Sequence, residues 1–398
     1  MNNLTKALIA VSFASAAGVA CSTLNKNSSG QRNPSTQNYI DEGIDTALGE
    51  VLEPNEDASI QKVIDEAMVA LTRDYHAPRV PRDAHAKSHG CLQSEFMVNN
   101  RNLPPDLRSG LFAENKSYPA WVRFSNNTSD PMSHDKDLDL RGIAIKVMDV
   151  PGVKILEGEQ DEITQDFLMF ASPIFFVKNI KDYSEFIKAL GKGEALKDLL
   201  MRPRSLVQLA TAQLKASVKR NPLSLTYFSA SPYRLGRREN PNRVPVKYSV
   251  TACDPIKAKN EPQGNKSNPN FMHDALKQSL SSSDACFKFQ VQLGDPALPR
   301  VYDVEDPSVL WPEKRSLMHL RNFSPYVTVA VLRIPRQDFD SGERKQFCEN
   351  LSYTPWHSLP EHRPLGRTNR MRRKLYEAIS SYRHSANGVT REEPKSLK

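Results

Sequence analysis

The chain has 398 residues, of which 39% are hydrophobic and 25% are charged, which is the composition of a globular protein. This composition excludes a disordered or collagen-like chain, and no internal repeat suggests a repeat array. The formal net charge is +8, from 54 Lys and Arg against 46 Asp and Glu. Because this excess is spread along the chain, we expect no nucleic-acid partner.

The first twenty residues are predicted to form a signal peptide. Lys6 precedes an apolar run of small residues, Ala7 to Ala20, that is shorter than a bilayer span of about 20 residues. Cys21 follows directly, and its lipidation would anchor the protein to a membrane. Gly18 departs from the bulky aliphatic residue usual there in bacterial lipoproteins, so simple secretion is the alternative, and an uncleaved buried helix is a third. We expect an exported bacterial protein, periplasmic or membrane-anchored through a lipid.

The rest of the chain divides by composition into three parts. Residues 21–38 are polar and of low complexity, which is typical of a tether. Residues 39–390 are predicted to form one folded domain, and residues 391–398 a charged tail. The basic segment Lys215 to Arg220 is interpreted as a solvated helix face, with contact to anionic lipid as the alternative.

Hydrophobic periodicity predicts helices and strands in a mixed order. The predicted helices are Ala58–Tyr75, Ile180–Leu190, Glu194–Val218 and Asn369–Arg383. The predicted strands are His85–Val98, Ala120–Ser125, Gly142–Met148, two short pieces in Phe167–Val177, Val244–Ala252, Phe287–Leu293 and Tyr326–Ile334. Asp254–Asn270 is predicted to be a polar loop. This order indicates an α+β fold with an antiparallel β-barrel or β-sheet core and appended helices.

Four cysteines follow Cys21, and an exported protein meets an oxidising compartment. They are Cys91, Cys253, Cys286 and Cys348. Their spacing does not choose among the three full pairings, and buried free thiols are an equal alternative. No pair has the spacing of a zinc site, and the common nucleotide, hydrolase and metalloprotease motifs are absent.

The segment around His85 is the first in the chain that contains candidate catalytic residues. Arg82 stands three residues before His85, so the guanidinium can reach an anion while the imidazole faces an enclosed pocket. A histidine in such a pocket can take a proton from one peroxide oxygen and return it to the other. A structural histidine is the plain alternative, and it is the preferred interpretation for His89.

Further segments, taken in chain order with this one, resemble the heme catalase superfamily, most closely its short bacterial heme-binding members. The segments are Arg82-x-x-His85-Ala-Lys87, Trp121-Val-Arg-Phe-Ser125, Asp139-Leu-Arg-Gly142 with Ile143-Ala-Ile-Lys146, and Asp166 with Pro173-Ile-Phe-Phe176. The resemblance covers residues 80–190 well and 225–385 more loosely. It implies a catalase-like antiparallel β-barrel that binds heme b.

The last predicted helix adds a fifth piece to this resemblance. Arg372, Tyr376 and Arg383 are four and then seven residues apart, so they share one helix face. A guanidinium one turn away favours the ionised form of a phenol, and a phenolate can ligate ferric heme. Tyr376 therefore resembles the iron ligand of the family. Tyr353 and His357 are rival ligands, because the preceding region departs from the catalase pattern and needs a small insertion. A further alternative is that none of these residues binds iron.

The resemblance implies the remaining roles residue by residue. His85 matches the distal acid/base, and Ser125 matches the serine that hydrogen-bonds its imidazole. Arg82, Arg123, Arg372 and Arg383 match cofactor-binding arginines, of which all but Arg372 face the heme propionates, and Tyr183 matches a phenylalanine on the heme face. Phe170 stands where true catalases have the distal asparagine. Its apolar ring predicts weak dismutation of hydrogen peroxide and suits organic or lipid hydroperoxides.

The sequence therefore predicts an exported heme-dependent peroxidase that cleaves the O–O bond of a peroxide with the help of a reducing co-substrate. One alternative is a heme-binding protein that keeps the barrel but has lost turnover. Another is a lipid-hydroperoxide isomerase or lyase that needs no reductant. True catalases are tetramers that use segments this shorter chain lacks, so we expect a monomer or dimer.

Overall fold

The computed structural model describes residues 43–137, 139–191, 219–315 and 322–397, together with isolated positions between 201 and 214. The predicted signal peptide, Cys21 and the tether lie outside these residues, as does most of the predicted helix Glu194–Val218. Within the described part of the chain, no helix is both long enough and apolar enough to cross a bilayer.

The fold is α+β, with a closed antiparallel β-barrel of eight strands. The strands are β1 (Ser88–Val98), β2 (Ser117–Asn126), β3 (Arg141–Val147), β4 (Gln165–Phe170), β5 (Tyr227–Phe228), β6 (Tyr233–Leu235), β7 (Val244–Ala252), β8 (Ala285–Leu293) and β9 (Tyr326–Ile334). They pair in the order β5-β4-β3-β2-β1-β9-β8-β7, and β5 pairs with β7 to close the ring. Strand β6 is a short addition to the edge of β7.

The barrel interior is apolar because alternate residues of each strand point inward. On β2 the inward residues Val122 and Phe124 are fully buried in the main core. Phe167, Tyr248 and Phe289 fill the centre with rings whose centroids lie 4.8–5.5 Å apart. The residues between them on each strand therefore face outward, toward the helices.

Six helices are described outside the barrel. They are α1 (Glu56–Asp74), α2 (Ile180–Gly191), α3 (Pro255–Asn260), α4 (Phe271–Ser282), α5 (Gly342–Asn350) and α6 (Arg367–Asn387). Apolar residues three and four positions apart, such as Ile60, Val63 and Ile64 of α1, pack against Met371 and Leu375 of α6. This packing fixes α6 against α1.

Two disulfides join the four cysteines whose pairing could not be predicted from their spacing. Cys91 of β1 pairs with Cys348 of α5, with Cα atoms 6.0 Å apart. Cys253 pairs with Cys286 of β8, with Cα atoms 5.4 Å apart. The first disulfide ties the end of a helix to the barrel, and the second joins β8 to the residue that follows β7.

Most predicted elements are confirmed, and three predictions differ from the structure. Of the two short strands predicted in Phe167–Val177, only the first is present, as β4, because Pro173 has no amide to donate to a strand ladder and the Ser172 hydroxyl donates to the Ile174 carbonyl. Strand β1 begins at Ser88 rather than His85, because the His85 and Ala86 amides bond the Asn127 and Thr128 carbonyls outside the strand ladder. The predicted loop Asp254–Asn270 is wrong in part, because it contains α3. The Asp254 carboxylate caps this helix by accepting from the amides of Ile256 and Lys257.

Candidate functional site

One row of residues crosses three strands on the outer face of the barrel. Ser125 of β2 pairs with Gly142 of β3, which pairs with Phe170 of β4. Directly paired residues present their side chains on the same face of a sheet. The His85 ring lies above the middle of this row, since a Cβ on Gly142 would come within 2.5 Å of its Cε1 and Nδ1 atoms. The missing side chain at Gly142 is therefore what makes room for the imidazole.

His85 is held by its backbone and by one side-chain contact. Its φ of +59° lies in the left-handed region, which is uncommon for a residue other than glycine and concentrates at functional sites. Its Nδ1 lies 3.0 Å from Ser125 Oγ. Burial, together with the charges of Arg123, Arg372 and Arg82, lowers the pKa of His85 to about 3. The imidazole is therefore neutral at ordinary pH.

A second row lies two residues along the same strands. Its two apolar members form the floor of the site, and its third member is an arginine at one side. Arg123 of β2 pairs with Ala144 of β3, which pairs with Leu168 of β4. Ala144 and Leu168 are half-buried, although they lie at the centre of the barrel face. Arg123 is 3% exposed, and its Nε atom has no hydrogen-bond partner.

Helix α6 contributes an arginine and a tyrosine near His85, since the charge of Arg372 acts on the imidazole. Arg372 Nε donates to Tyr376 Oη at 3.3 Å, and the guanidinium carbon lies 5.2 Å from the Tyr376 ring centroid. The Nη1 atom of Arg372 also donates to Ser231 Oγ at 3.1 Å and to Asn369 Oδ1 at 3.0 Å. Asn369 is fixed in turn by donating to the Leu365 carbonyl and to a loop carbonyl. The guanidinium is thus oriented toward the phenol by a network of neutral acceptors.

Three of the predicted arginines converge at one end of the site. Arg82 and Arg383 both form ion pairs with Glu349 of α5, at 2.7 and 3.5 Å. The charges of Arg82 and Arg383 reach Arg123 as well, and burial lowers the pKa of Arg123 to about 9. The structure therefore concentrates positive charge beside the apolar floor.

Aromatic rings border the other end of the row that carries His85. The Phe170 ring lies 6.0 Å from the Phe175 ring, edge to face, and Phe175 stacks with Tyr183 at 6.3 Å. Burial raises the pKa of the Tyr183 hydroxyl, so this group stays protonated. No amide takes the position of Phe170, so this side of the site is apolar.

The rival ligands have different surroundings from Tyr376. Tyr353 Oη is buried without a hydrogen-bond partner, and burial raises its pKa to about 12, so the phenol is not ionised. His357 contacts Glu159 through Nδ1 and lies 2.5 Å from Thr164 Oγ1 through Nε2. Both ring nitrogens of His357 are therefore engaged, whereas Tyr376 has the arginine that the resemblance implies.

The structure brings together every described residue that the sequence singled out. These residues are His85, Ser125, Arg82, Arg123, Phe170, Tyr183, Arg372, Tyr376 and Arg383. Four contributors were missed. They are the spacing role of Gly142, the orienting residues Ser231 and Asn369, and the counter-ion Glu349. Of these, only Gly142 stood within a motif. Cys21 lies outside the described residues.

Comparison with known proteins gives one relative by sequence. A catalase-related peroxidase of Mycolicibacterium paratuberculosis is 24% identical over 257 residues, which are 62% of this chain and 75% of the relative. No family model matches the chain.

Comparison of folds gives matches to catalases. The chain is similar to a fungal catalase with a TM-score of 0.59 and 16% identity, covering 80% of this chain and 61% of that one. It is similar to a bacterial catalase with a TM-score of 0.57 and 17% identity, covering 93% and 70% of the two chains. The chain thus spans about three fifths of the length of the fungal catalase. The chain is thus similar to catalases in its fold and to a catalase-related peroxidase in its sequence.

Proposed function

We propose that this protein is a heme-dependent peroxidase that acts on organic or lipid hydroperoxides. The observation that carries the proposal is a neutral His85, with Ser125 against it, close enough to the Arg372–Tyr376 pair for the charge of Arg372 to act on the imidazole. The name of the sequence relative, a catalase-related peroxidase, supports the same activity.

The residues present fit heme b on three observations. Arg123 Nε is a buried donor without a partner, beside two further guanidiniums, and this set suits carboxylates. Ala144 and Leu168 give an apolar floor that is half-buried, as a porphyrin face requires. Tyr376 offers a phenol oxygen for ferric iron, with a guanidinium at 3.3 Å. When bound, heme supplies the iron at which an O–O bond is cleaved.

His85 is suited to moving the proton of a hydroperoxide. A neutral imidazole that donates Nδ1–H to Ser125 Oγ has its lone pair on Nε2, where it accepts a proton. Once protonated, the same nitrogen returns the proton to the oxygen that leaves. Because Arg123, Arg372 and Arg82 disfavour the imidazolium, the proton is released readily.

The apolar side of the site favours a bulky substrate. Phe170 lies on the same face as His85 and contacts Phe175, which leads to Tyr183. The binding free energy of a hydrocarbon chain is improved when the chain moves from water into contact with these rings. Hydrogen peroxide has no apolar surface to bury there, and the site has no amide to orient it. A reducing co-substrate completes the cycle in this proposal.

We also propose that the protein is exported and anchored through a lipid on Cys21. The support is the run of small apolar residues from Ala7 to Ala20 before this cysteine, with a polar segment behind it. Cys21→Ser is expected to move the full chain from the membrane fraction to the soluble fraction of its host. An equal distribution of both proteins would contradict the anchor.

An absorption spectrum tests the function. The full chain, purified from cells supplied with heme, is expected to show a Soret band at a heme content near one per chain. Its visible bands are expected to indicate phenolate ligation, and Tyr376→Phe should change them. Tyr382→Phe, on the same helix, is the matched control and should leave them unchanged. No Soret band, even after addition of hemin, would contradict the proposal.

Turnover then separates the enzyme from a binding protein. The proposal expects oxidation of a reductant with cumene hydroperoxide as substrate, and a slower reaction with hydrogen peroxide. A normal spectrum without turnover of either peroxide would favour the alternative function, a heme-binding protein that retains the barrel. Consumption of a lipid hydroperoxide without any reductant would instead indicate an isomerase or lyase.

A further inference from the structure

The C-terminal end of α5 organises two of the three converging arginines. Arg82 Nη2 donates to the carbonyl oxygens of Cys348 and Leu351, at 2.9 and 2.5 Å. Arg383 donates to the carbonyl oxygens of Glu349 and Leu351, at 2.5 and 3.4 Å. The last carbonyls of a helix lack partners within it and carry partial negative charge, so they attract cations. The helix end therefore sets where both guanidiniums lie.

The Glu349 side chain adds a full negative charge at the same place. Its Oε2 lies 2.7 Å from Arg82 Nη1, and its Oε1 lies 3.5 Å from Arg383 Nη1. Burial alone would raise the pKa of this carboxyl, but the charges of Arg82, Arg123 and Arg383 make the net shift downward. Across the described ranges of the chain, no other carboxylate forms an ion pair with these three arginines.

The charge of this group does not balance within the protein. One carboxylate against three guanidiniums leaves a formal charge of +2. Arg123 in particular has the Ala86 carbonyl as acceptor, at 3.2 Å, and a buried Nε without any. Buried cations need anions or acceptors, so the group is complete only with a further ligand charge of about −2.

We propose that Glu349 is a specificity-determining residue that sets the arginine group to a net charge of +2, which matches a cofactor edge with two carboxylates, and that it moderates the preference of the group for such an edge over an uncharged one. This inference rests on the proposed function, because heme b is the cofactor with such an edge. Without Glu349 the group would carry +3 and would hold any dianion more tightly. Glu349 thus lowers the affinity for a dianion and brings the charge of the arginine group to +2, which two carboxylates neutralise.

Two porphyrins that differ only in charge test this role. Hemin carries two carboxylates, and hemin dimethyl ester carries none. The ratio of their affinities, measured by absorbance titration of the full chain at low ionic strength, reports the charge of the arginine group. In Glu349→Gln we expect this ratio to rise about tenfold, because a negative charge near the carboxylates is removed. Glu361→Gln is the matched control, since Glu361 pairs with Arg237 instead, and it should keep the wild-type ratio.

Further variants test the same role of charge, so that the conclusion does not depend on a single substitution. Arg82→Gln lowers the group charge by one, so its affinity ratio should fall below that of the wild type. The double variant Arg82→Gln with Glu349→Gln restores a charge of +2 and should return toward the wild-type ratio. Glu349→Asp keeps the charge and should keep the ratio.

The results separate this inference from the function on which it rests. If the wild type binds hemin and Glu349→Gln leaves the affinity ratio unchanged or lower, the role of Glu349 is wrong and the heme site stands. A double variant whose ratio stays at the Arg82→Gln value would equally overturn it. If the wild type binds neither porphyrin, the proposed function fails, and this inference fails with it.

Discussion

The Nδ1 atom of His85 lies 3.0 Å from the hydroxyl oxygen of Ser125, directly above a glycine in the neighbouring strand. The two residues are 40 positions apart in the chain: Ser125 lies on β2, whereas His85 precedes β1. Gly142 completes the arrangement, because a Cβ there would lie 2.5 Å from the imidazole and 2.9 Å from the Ser125 hydroxyl. The position of the proposed base thus depends on an absent side chain.

Gly142→Ala is expected to displace the imidazole and disable proton transfer. The nearest atoms belong to a ring fixed by its own backbone, so the clash cannot be relieved by a flexible side-chain end. We expect kcat/KM for cumene hydroperoxide to fall about 10²-fold, which is the scale of a lost general base. Gly342→Ala is the matched control, because a Cβ there meets nothing within 4 Å. Equal kinetics in both variants would argue against the role of His85.

Phe170→Asn is expected to shift the preference between peroxides. The amide would stand on the same face as His85 and offer hydrogen bonds to a small peroxide, at the cost of an apolar contact with Phe175. The ratio of kcat/KM for hydrogen peroxide to that for cumene hydroperoxide should rise about tenfold or more. Phe170→Leu keeps the site apolar and should leave the ratio near that of the wild type. A ratio that is insensitive to the amide would mean that Phe170 does not face the substrate.

The rate of turnover should not fall near pH 6.5, where an ordinary histidine becomes protonated. The pKa of His85 is lowered to about 3 by burial and by Arg123, Arg372 and Arg82, so the neutral base persists in mild acid. An exposed histidine has a pKa near 6.5 and would be largely protonated at pH 5. We therefore expect kcat/KM for the hydroperoxide to stay level between about pH 8 and pH 5. Circular dichroism at each pH checks that the fold is intact, and half-loss of rate near pH 6.5 would contradict the lowered pKa.

The two disulfides should differ in their effect on stability. In the chain-entropy model the bond between Cys91 and Cys348, which are 257 positions apart, restricts the unfolded chain more than that between Cys253 and Cys286, 33 apart. Replacing the first pair by serines should therefore cost about 2 kcal/mol more in free energy of unfolding than replacing the second. Urea unfolding of the two double variants measures this difference.

The same two variants should also differ in hemin affinity. Cys348 lies at the end of α5, and its carbonyl accepts from Arg82 at 2.9 Å. Freeing this helix end should weaken the hold on the arginine and lower the affinity for hemin. The Cys253–Cys286 variant is the control, because it leaves α5 attached. Equal hemin affinities in both variants would show that α5 keeps its place without the disulfide.

Local patterns carried the prediction of most elements. Strands Val244–Ala252 and Tyr326–Ile334 have the predicted bounds, since alternating apolar residues define a strand within a few positions. Helix α4, by contrast, was not predicted. The burial of Phe271, Met272 and Leu276 stabilises this helix. Such tertiary packing is harder to predict from the local sequence than the alternation of a strand.

The segment predicted as a charged tail shows what composition alone misses. One of its two acidic residues, Glu393, is 9% exposed and pairs with buried Lys146 of β3 at 2.6 Å, while Thr164 donates to the same oxygen at 2.6 Å. A charged residue near a chain end is usually solvated. Its burial here depends on a cation 247 positions earlier, which no local pattern reveals.

The sequence by itself determined which residues are chemically able to form the site. His85, Ser125 and the arginines stand in ordered motifs, and the i, i+4 spacing of Arg372 and Tyr376 is enough to make them neighbours on a helix. Tertiary structure alone decided how these groups act together. The barrel pairs Ser125, Gly142 and Phe170 in one row, and α5 brings Glu349 into ion pairs with arginines from two distant segments. The physical reason is that strand register and burial set distances, charges and pKa values between groups far apart in the chain, whereas spacing governs only what lies within a few residues.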